Sequence, residues 1–199
     1  MSSPTTLFHT IAPDSSSLLH DAKIWLDLKS GDKSALSYVY TKFFDSLYSY
    51  GSRITPDAGL TEDSIQDLFV ELWNKREGLS DVRNIKYYLF KSLRRKIIYK
   101  LSLQARHPET DDLTCFEIEL SDKTHYLNQE VANDIRKNLK QLVLSLTPKQ
   151  KEAIFLIYYD QLSYDEVASI MCLKVKTVYN LIHLAITKLR EQKSALFVT

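Results

Sequence analysis

The sequence predicts an all-α protein: two small helical domains joined by a flexible acidic linker, the second carrying a C-terminal helix-turn-helix. Three observations carry this. Glycine is scarce, four in 199 residues, and none follows Gly78 for the remaining 121. A sheet-rich fold needs many tight turns, and a nucleotide-binding α/β fold a glycine-rich loop, so both are disfavoured. Apolar residues recur at helical spacing along most of the chain. That periodicity stops over residues 104–129, which contain Pro108 and the run Glu109-Thr110-Asp111-Asp112. With 44% hydrophobic residues the chain has enough apolar surface to build real cores.

The expected domains are a tail (1–17), a helical domain (18–103), the linker (104–129) and a second helical domain (130–199). Leu18, Leu19, Ile24, Trp25 and Leu28 mark the first helix, and Lys29-Ser30-Gly31-Asp32 breaks it. The second carries Leu36, Tyr40, Phe43, Phe44, Leu47 and Tyr48 on one face and ends near Gly51 or Arg53. Thr55-Pro56-Asp57-Ala58-Gly59 reads as a loop. Thr61 then reads as an N-cap, with Glu62 and Asp63 in the first turn, where acids favour the helix dipole. Ile65, Leu68, Phe69, Leu72 and Trp73 form an amphipathic stripe in that helix, 61–77. Its other face holds Asp63, Gln66, Asp67, Glu71 and Asn74. A fourth helix runs from about Ile85 to Ser102.

Order returns near Gln129, with a stripe of Ile135, Leu139, Leu142, Val143 and Leu146. Thr147-Pro148-Lys149-Gln150 starts a new helix: Thr147 caps, Pro148 suits the first helical position, and Gln150 completes a capping box. Ser163-Tyr164-Asp165-Glu166 repeats the device for a short helix, Tyr164 to Met171. A break at Cys172-Leu173-Lys174 precedes a longer helix, Val175 to about Lys193, with Val175, Val178, Ile182, Ala185 and Leu189 inward. These are the dimensions of a helix-turn-helix, with Ala168 at the close approach. Its exposed turns present Lys174, Lys176, Thr177, Tyr179 and Asn180. Lys and Thr hold phosphates, Asn matches an adenine edge and Lys a guanine edge.

A net charge of +1 hides strong blocks. Residues 1–82 carry −5, residues 83–106 carry +8 without one acid, residues 107–135 carry −7, and residues 136–199 carry +5. Aromatics interleave the basic block at Tyr87, Tyr88, Phe90 and Tyr99, and that combination points to nucleic acid. Cations supply phosphate affinity and rings stack exposed bases. Cys115 and Cys172 make no metal or redox spacing and read as buried thiols of a reducing cytosol. The five histidines form no metal spacing; His183, in the recognition helix, reads as a surface or DNA-backbone residue. No catalytic constellation, cofactor site or metal site is expected. No apolar run approaches a membrane span, and the N-terminus lacks a secretory start, so the expected location is cytoplasmic.

An acidic helix, a basic-aromatic helix, an acidic linker and a helix-turn-helix, in that order, resemble the extracytoplasmic-function group of bacterial RNA polymerase sigma factors. The resemblance covers roughly residues 18–102 and 130–192. Gly31-Asp32, Ala35-Leu36 and Tyr40 are similar to the family's opening. Asp63-Ser64-Ile65-Gln66-Asp67-Leu68-Phe69-Val70-Glu71-Leu72-Trp73 is similar to its core-binding helix, and Tyr88-Leu89-Phe90-Lys91-Ser92-Leu93-Arg94-Arg95-Lys96 to its melting helix. Leu146-Thr147-Pro148-Lys149-Gln150-Lys151-Glu152, Leu162-Ser163-Tyr164-Asp165-Glu166-Val167-Ala168 and Lys176-Thr177-Val178-Tyr179-Asn180 resemble its C-terminal module.

The resemblance implies a division of labour. Asp63, Gln66, Asp67, Glu71 and Asn74 would bind the clamp of core RNA polymerase. Lys86, Tyr87, Tyr88, Lys91, Arg94, Arg95, Lys96, Tyr99 and Lys100 would take the melted −10 strand of promoter DNA. Lys174, Lys176, Thr177, Tyr179, Asn180 and His183 would read the −35 element. The linker would pass near the polymerase active site. An anti-sigma factor is a further partner the resemblance implies. The chain departs from the family at Arg95, where Asn is common, and at Ile98, where Asp is common. It departs again at Leu181 and Leu184, where Arg or Lys is common, and at Lys174, where Ser or Thr usually caps. Fewer phosphate contacts would flatten the salt dependence, each contributing about −0.9 to the log–log slope. Two other readings fit the residues: a stand-alone helix-turn-helix regulator, and a degenerate sigma-like chain that binds polymerase without reading DNA.

Overall fold

A computed structural model describes residues 15–82, 84–104, 116–118 and 140–196, and every regular element among them is helical. α1 (Ser15–Lys29) buries Trp25 and Leu28. It ends where expected. Gly31 takes φ +91°, its N–H donates to Leu28 O, and Asp32 N–H donates to Asp27 O, both at 3.0 Å. These are the paired reverse bonds of a glycine C-cap. Asp32 at once caps α2 (Lys33–Ile54), its carboxylate accepting from Ser34 N–H at 2.8 Å.

α2 buries Val39, Phe43, Leu47, Tyr50 and Ile54. The inward face is therefore rotated from the expected one. Val39 and Tyr50 join the core, while Tyr40 lies on the flank and meets Phe69 edge-on, ring centroids 4.9 Å apart. An aromatic-rich helix offers two plausible stripes, and only packing selects between them. α3 (Ala58–Asn74) also differs from expectation, because its cap is Asp57, which accepts from Leu60 N–H at 2.9 Å. Thr61 is not a cap. It is buried within the helix, donates its hydroxyl to Asp57 O at 3.2 Å, and fills the space beside Gly51 of α2. Glu62 and Asp63 thus lie beyond the first turn, and the helix stops at Asn74 rather than 77.

A 3-10 turn (Arg76–Gly78) leads to a segment braced by α1: Trp25 Nε1–H donates to Ser80 O at 3.0 Å. α4 (Ile85–Gln104) buries Ile85, Leu89, Phe90, Leu93, Arg94 and Ile97. Acids of α3 face cations of α4, Asp67 to Lys100 at 2.7 Å and Glu71 to Lys96, in the order two antiparallel helices require.

In the second half, residues 140–144 are helical and Leu142 and Leu146 are buried; Ile135 and Leu139 lie outside the described residues. Both capping boxes form as the sequence predicts, Thr147 with Gln150 at the start of α5 (Pro148–Ile154) and Ser163 with Glu166 at the start of α6 (Tyr164–Ile170). Between them the chain winds into a π-helical turn (Phe155–Tyr159) that periodicity did not foretell. α7 (Val175–Leu196) leaves α6 at 103°, within the helix-turn-helix range. The turn closes with Leu173 N–H on Ala168 O at 2.8 Å. Cys172 stands at the left-handed position, φ +55°, and is exposed, so it is not the buried thiol the sequence suggests. Cys115 lies outside the described residues.

The halves share one core. Tyr50 of α2 stacks on Phe90 of α4, centroids 5.0 Å apart, and on Phe155 of the π-helical turn at 6.2 Å. Most of the linker lies outside the described residues, but Phe116 within it is 1% exposed and sits between Tyr50 and Phe155, 6.1 and 5.8 Å from their rings. Glu117 N–H donates to Arg53 O at 3.1 Å beside it.

Two predictions follow from local geometry. A Cβ on Gly51 would lie 2.6 Å from Thr61 Cγ2 and 3.2 Å from Ile97 Cδ1, all buried. Overpacking of about 1–3 kcal/mol outweighs the helix propensity gained from alanine, so Gly51→Ala is destabilising in urea titrations. Thr61→Ser, which removes that methyl, restores stability in the Gly51→Ala background and lowers it in the native one. Cys172→Gly relieves a left-handed residue and raises stability by about 0.5–1 kcal/mol; a lower urea midpoint would refute this.

Candidate nucleic-acid interface

Three surfaces carry the residues singled out in the sequence, one on α3, one on α4 and one at the start of α7. On α3, Asp63, Gln66, Asp67 and Asn74 are exposed, and Val70 stands among them as an exposed apolar side chain. Glu71 is turned towards α4. It accepts from Lys75 at 2.5 Å and from Lys96, and these bonds hold its carboxyl down at about 2. It is therefore ionised at any ordinary pH and committed to its own helix pair. Such surface pairs contribute about 0–1 kcal/mol each, so they set side-chain direction more than stability.

The basic block on α4 is less free than its charge suggests. Of the six cations on α4, four face acids: Lys86 to Asp160 and Lys100 to Asp67 at 2.7 Å, Arg94 to Glu152 at 2.9 Å, and Lys96 to Glu71. Arg94 corrects the sequence expectation most clearly. It is 4% exposed and points into the molecule, so in this conformation it is no phosphate ligand. Burial alone would pull its pKa down; Glu152 and Tyr50 more than offset that and raise it. The reason lies in helix geometry, because residue 94 falls one turn from Phe90 and Ile97 on the buried stripe.

Tyr87 and Lys91 are also engaged. The Tyr87 hydroxyl and Ser169 Oγ share a hydrogen bond of 2.8 Å, and Lys91 Nζ donates to Ser169 Oγ at 2.9 Å. Tyr88 is half-buried against Trp25, edge to face at 5.0 Å, and burial raises its phenol pKa. Arg95 and Tyr99 face outward. A cleft of about 320 Å³ opens between α4 and α6, lined by Tyr87, Tyr88, Lys91, Ser92, Arg94, Arg95 and Ile98 on one side and by Ile170 and Cys172 on the other. Its cations, rings and hydroxyl suit an anionic, flat ligand such as an unpaired nucleotide.

The recognition helix follows the sequence closely. Lys174, Lys176, Thr177, Tyr179, Asn180 and His183 are all exposed, while Val178, Ile182 and Ala185 are buried against α5 and α6. Tyr179 lies flat on Tyr164, centroids 4.1 Å apart and planes 6° from parallel. This stack fixes its ring beside the first turns of α7. Among the described residues no group of three or more His, Cys, Asp or Glu could hold a metal ion, and no single helix is long and apolar enough to cross a membrane.

Sequence reasoning missed the residues that meet α4 from the second half: Glu152, Asp160, Glu166 and Ser169. In the sequence Glu166 reads as the end of a capping box and as part of the motif from Leu162 to Ala168. Its second oxygen accepts from Asn84 Nδ2 at 2.7 Å, 82 residues away. A buried acid near a lone Tyr gives no periodic signal, so nothing local would have exposed these partners.

Comparison with known proteins is consistent along the chain. Residues 39–107 match the sigma-70 region 2 family and residues 136–189 the sigma-70 region 4 family. The extracytoplasmic-function RNA polymerase sigma factor SigK of Mycobacterium ulcerans is 22% identical over 162 residues, 80% of this chain and 86% of that protein. SigW of Bacillus subtilis is 24% identical over 172 residues, 83% of this chain and 92% of its own. The structure of CnrH in complex with the cytosolic domain of CnrY is similar in fold, with a TM-score of 0.56 at 21% identity over 88% of this chain and 97% of that one. RpoE of Bartonella quintana, solved with the anti-sigma factor NepR, gives 0.54 at 21% identity over 78% and 94%. The two family matches together span well over half of the sequence, in the order that its motifs run: the chain belongs to the sigma-70 family of RNA polymerase sigma factors, in the extracytoplasmic-function group.

Proposed function

We propose that this protein is an alternative sigma factor that binds core RNA polymerase in the cytoplasm and directs promoter recognition and transcription initiation. The observation that carries this is the pairing of a region 2 match with a region 4 match whose reading residues all face outward on α7. A stand-alone regulator would leave the first half without a task. Bond formation belongs to the polymerase; this chain supplies binding and orientation.

Each surface has a role in that reading. The exposed part of α3 docks on the polymerase clamp, with Asp63, Gln66, Asp67 and Asn74 as polar contacts around Val70. Glu71 acts through α4 by orienting Lys96. The basic-aromatic helix takes the melted −10 strand. Tyr87, Tyr88 and Tyr99 stack or pocket bases once these leave the duplex, which costs a few kcal/mol per base. Lys91, Arg95, Lys96 and Lys100 neutralise phosphates while that cost is met. On α7, Asn180 and Lys176 read base edges, Thr177, Lys174 and His183 position the backbone, and Tyr179 adds an apolar contact held in place by Tyr164. An anti-sigma factor of the kind bound to the similar RpoE is a further partner.

The test is multi-round transcription on genomic fragments with purified core polymerase at fixed salt. Discrete 5′ ends that depend on the protein are expected. Asp63→Lys with Gln66→Lys lowers core affinity about tenfold or more and leaves helicity intact; both residues are exposed and outside the α3–α4 ion pairs. Asn180→Ala relaxes preference at one −35 base pair by about 1–3 kcal/mol. Co-elution with core polymerase without new 5′ ends would leave only a polymerase-binding role.

A further inference from the structure

We propose that α7 reads the 5-methyl groups of thymine in the major groove, with Tyr179 and Leu184 as the contacts and Tyr164 as the residue that positions Tyr179. The proposal rests on the reading that α7 enters duplex DNA, and it names the base feature that is recognised there.

The exposed side chains of α7 share one arc. At about 100° per residue, Tyr179, His183, Lys176, Asn180, Leu184 and Thr177 follow one another around the outer half of the helix. Val178, Ile182 and Ala185 lie buried on the opposite side. Asn180 stands near the middle of the arc, with an apolar group on each side of it. Tyr179 is 54% exposed and Leu184 is 57% exposed. Leu181, by contrast, packs against the core. From Val175 to Thr187 the one charged residue is Lys176. Residues 174–190 include no acid, so nothing on this segment repels phosphate.

This inventory selects among base edges. Guanine is read by Arg or Lys paired with its O6 and N7, and on this arc Lys176 alone can do that. The apolar feature that the major groove offers is the C5-methyl group of thymine. Asn180 suits the adenine edge, and each adenine pairs with a thymine whose methyl lies in the same groove. Apolar groups on both sides of Asn180 therefore match a run of A·T pairs.

Tyr179 is prepared for such a contact. Its ring lies on that of Tyr164, centroids 4.1 Å apart and planes 6° from parallel. Tyr164 opens α6 and packs against the core, so the stack is anchored in the first helix of the pair. Ordering a free side chain on binding costs affinity, and here the ring is ordered beforehand. Tyr164 touches no base in this arrangement; it acts through Tyr179. Burying one methyl group changes affinity about fourfold, so two such contacts give about tenfold or more.

The experiment uses the full chain, alone and with core polymerase, to select from random-sequence duplexes at fixed low salt; polymerase alone is the control. The enriched duplex is remade with deoxyuridine in place of each thymine in turn, which removes the methyl and nothing else. Expected is an A·T-rich motif in which two thymines each lose about fourfold in affinity as deoxyuridine. Tyr179→Ala abolishes the difference at one of them and Leu184→Ala at the other, while Tyr179→Phe keeps it. Tyr164→Ala erases the same difference as Tyr179→Ala, and Tyr164→Phe restores it; a merely structural loss would weaken every position alike. Leu184 is exposed, so its variant decides the matter even where Tyr164→Ala fails to fold. No enriched duplex, an enriched duplex indifferent to deoxyuridine, or a thymine preference that survives both alanine variants overturns the proposal. Unchanged duplex affinity in those variants with weakened core binding also overturns it, because the face would then be a protein-docking surface. A methyl-dependent duplex without protein-dependent 5′ ends in transcription upholds this proposal and sinks the sigma-factor reading.

Discussion

The contact on which the arrangement turns is a single buried carboxylate. Glu152 sits on α5, yet both of its hydrogen-bond donors, Tyr50 and Arg94, come from the first half of the chain. Removing Arg94 would leave a charge in the core without compensation, and removing Tyr50 would cost that charge its second hydrogen bond, so the three side chains are specified together. Their placement also explains the aromatic stack around them. Tyr50 cannot offer its hydroxyl to Glu152 without laying its ring between Phe90 and Phe155. Burial and Glu152 together raise the Tyr50 pKa well above its ordinary value, so the hydroxyl remains a donor.

That constraint reaches outward through the helix-turn-helix. Glu166 completes the capping box of α6 with one oxygen and holds Asn84 with the other. Ser169, one turn on, takes Tyr87 and Lys91. The helix that supports the recognition helix is therefore also the one that covers α4. The exposed first turns of α7 are left free because they lie across the 103° turn from this contact.

Charge shows the difference between a count and a structure. Residues 83–106 carry +8, and taken alone that block reads as an open phosphate-binding surface. In the fold, acids from α3 and from the second half pair with four of the six cations on α4, and Arg94 is withdrawn altogether. Arg95, Tyr99 and the polar residues at the start of α7 remain exposed.

Much was legible without coordinates. The break at Gly31, both capping boxes, the length of the helix-turn-helix and the outward side chains of Lys174 and of five residues on α7 are local matters, set by cap chemistry and a 3.6-residue repeat acting within a few residues. The resemblance to sigma factors came from the order of such segments. Misreadings arose where two local solutions compete. Asp57 and Thr61 can each cap a helix, and Thr61 was claimed by the tight approach to Gly51. Either aromatic stripe of α2 can face inward. What only the tertiary structure decided is which side chains of α4 look at solvent, which at α3 and which at the second half. Those choices depend on Glu152, Asp160 and Phe116, residues whose partners lie far along the chain. Periodicity tells a helix which face is apolar, but not what stands opposite it.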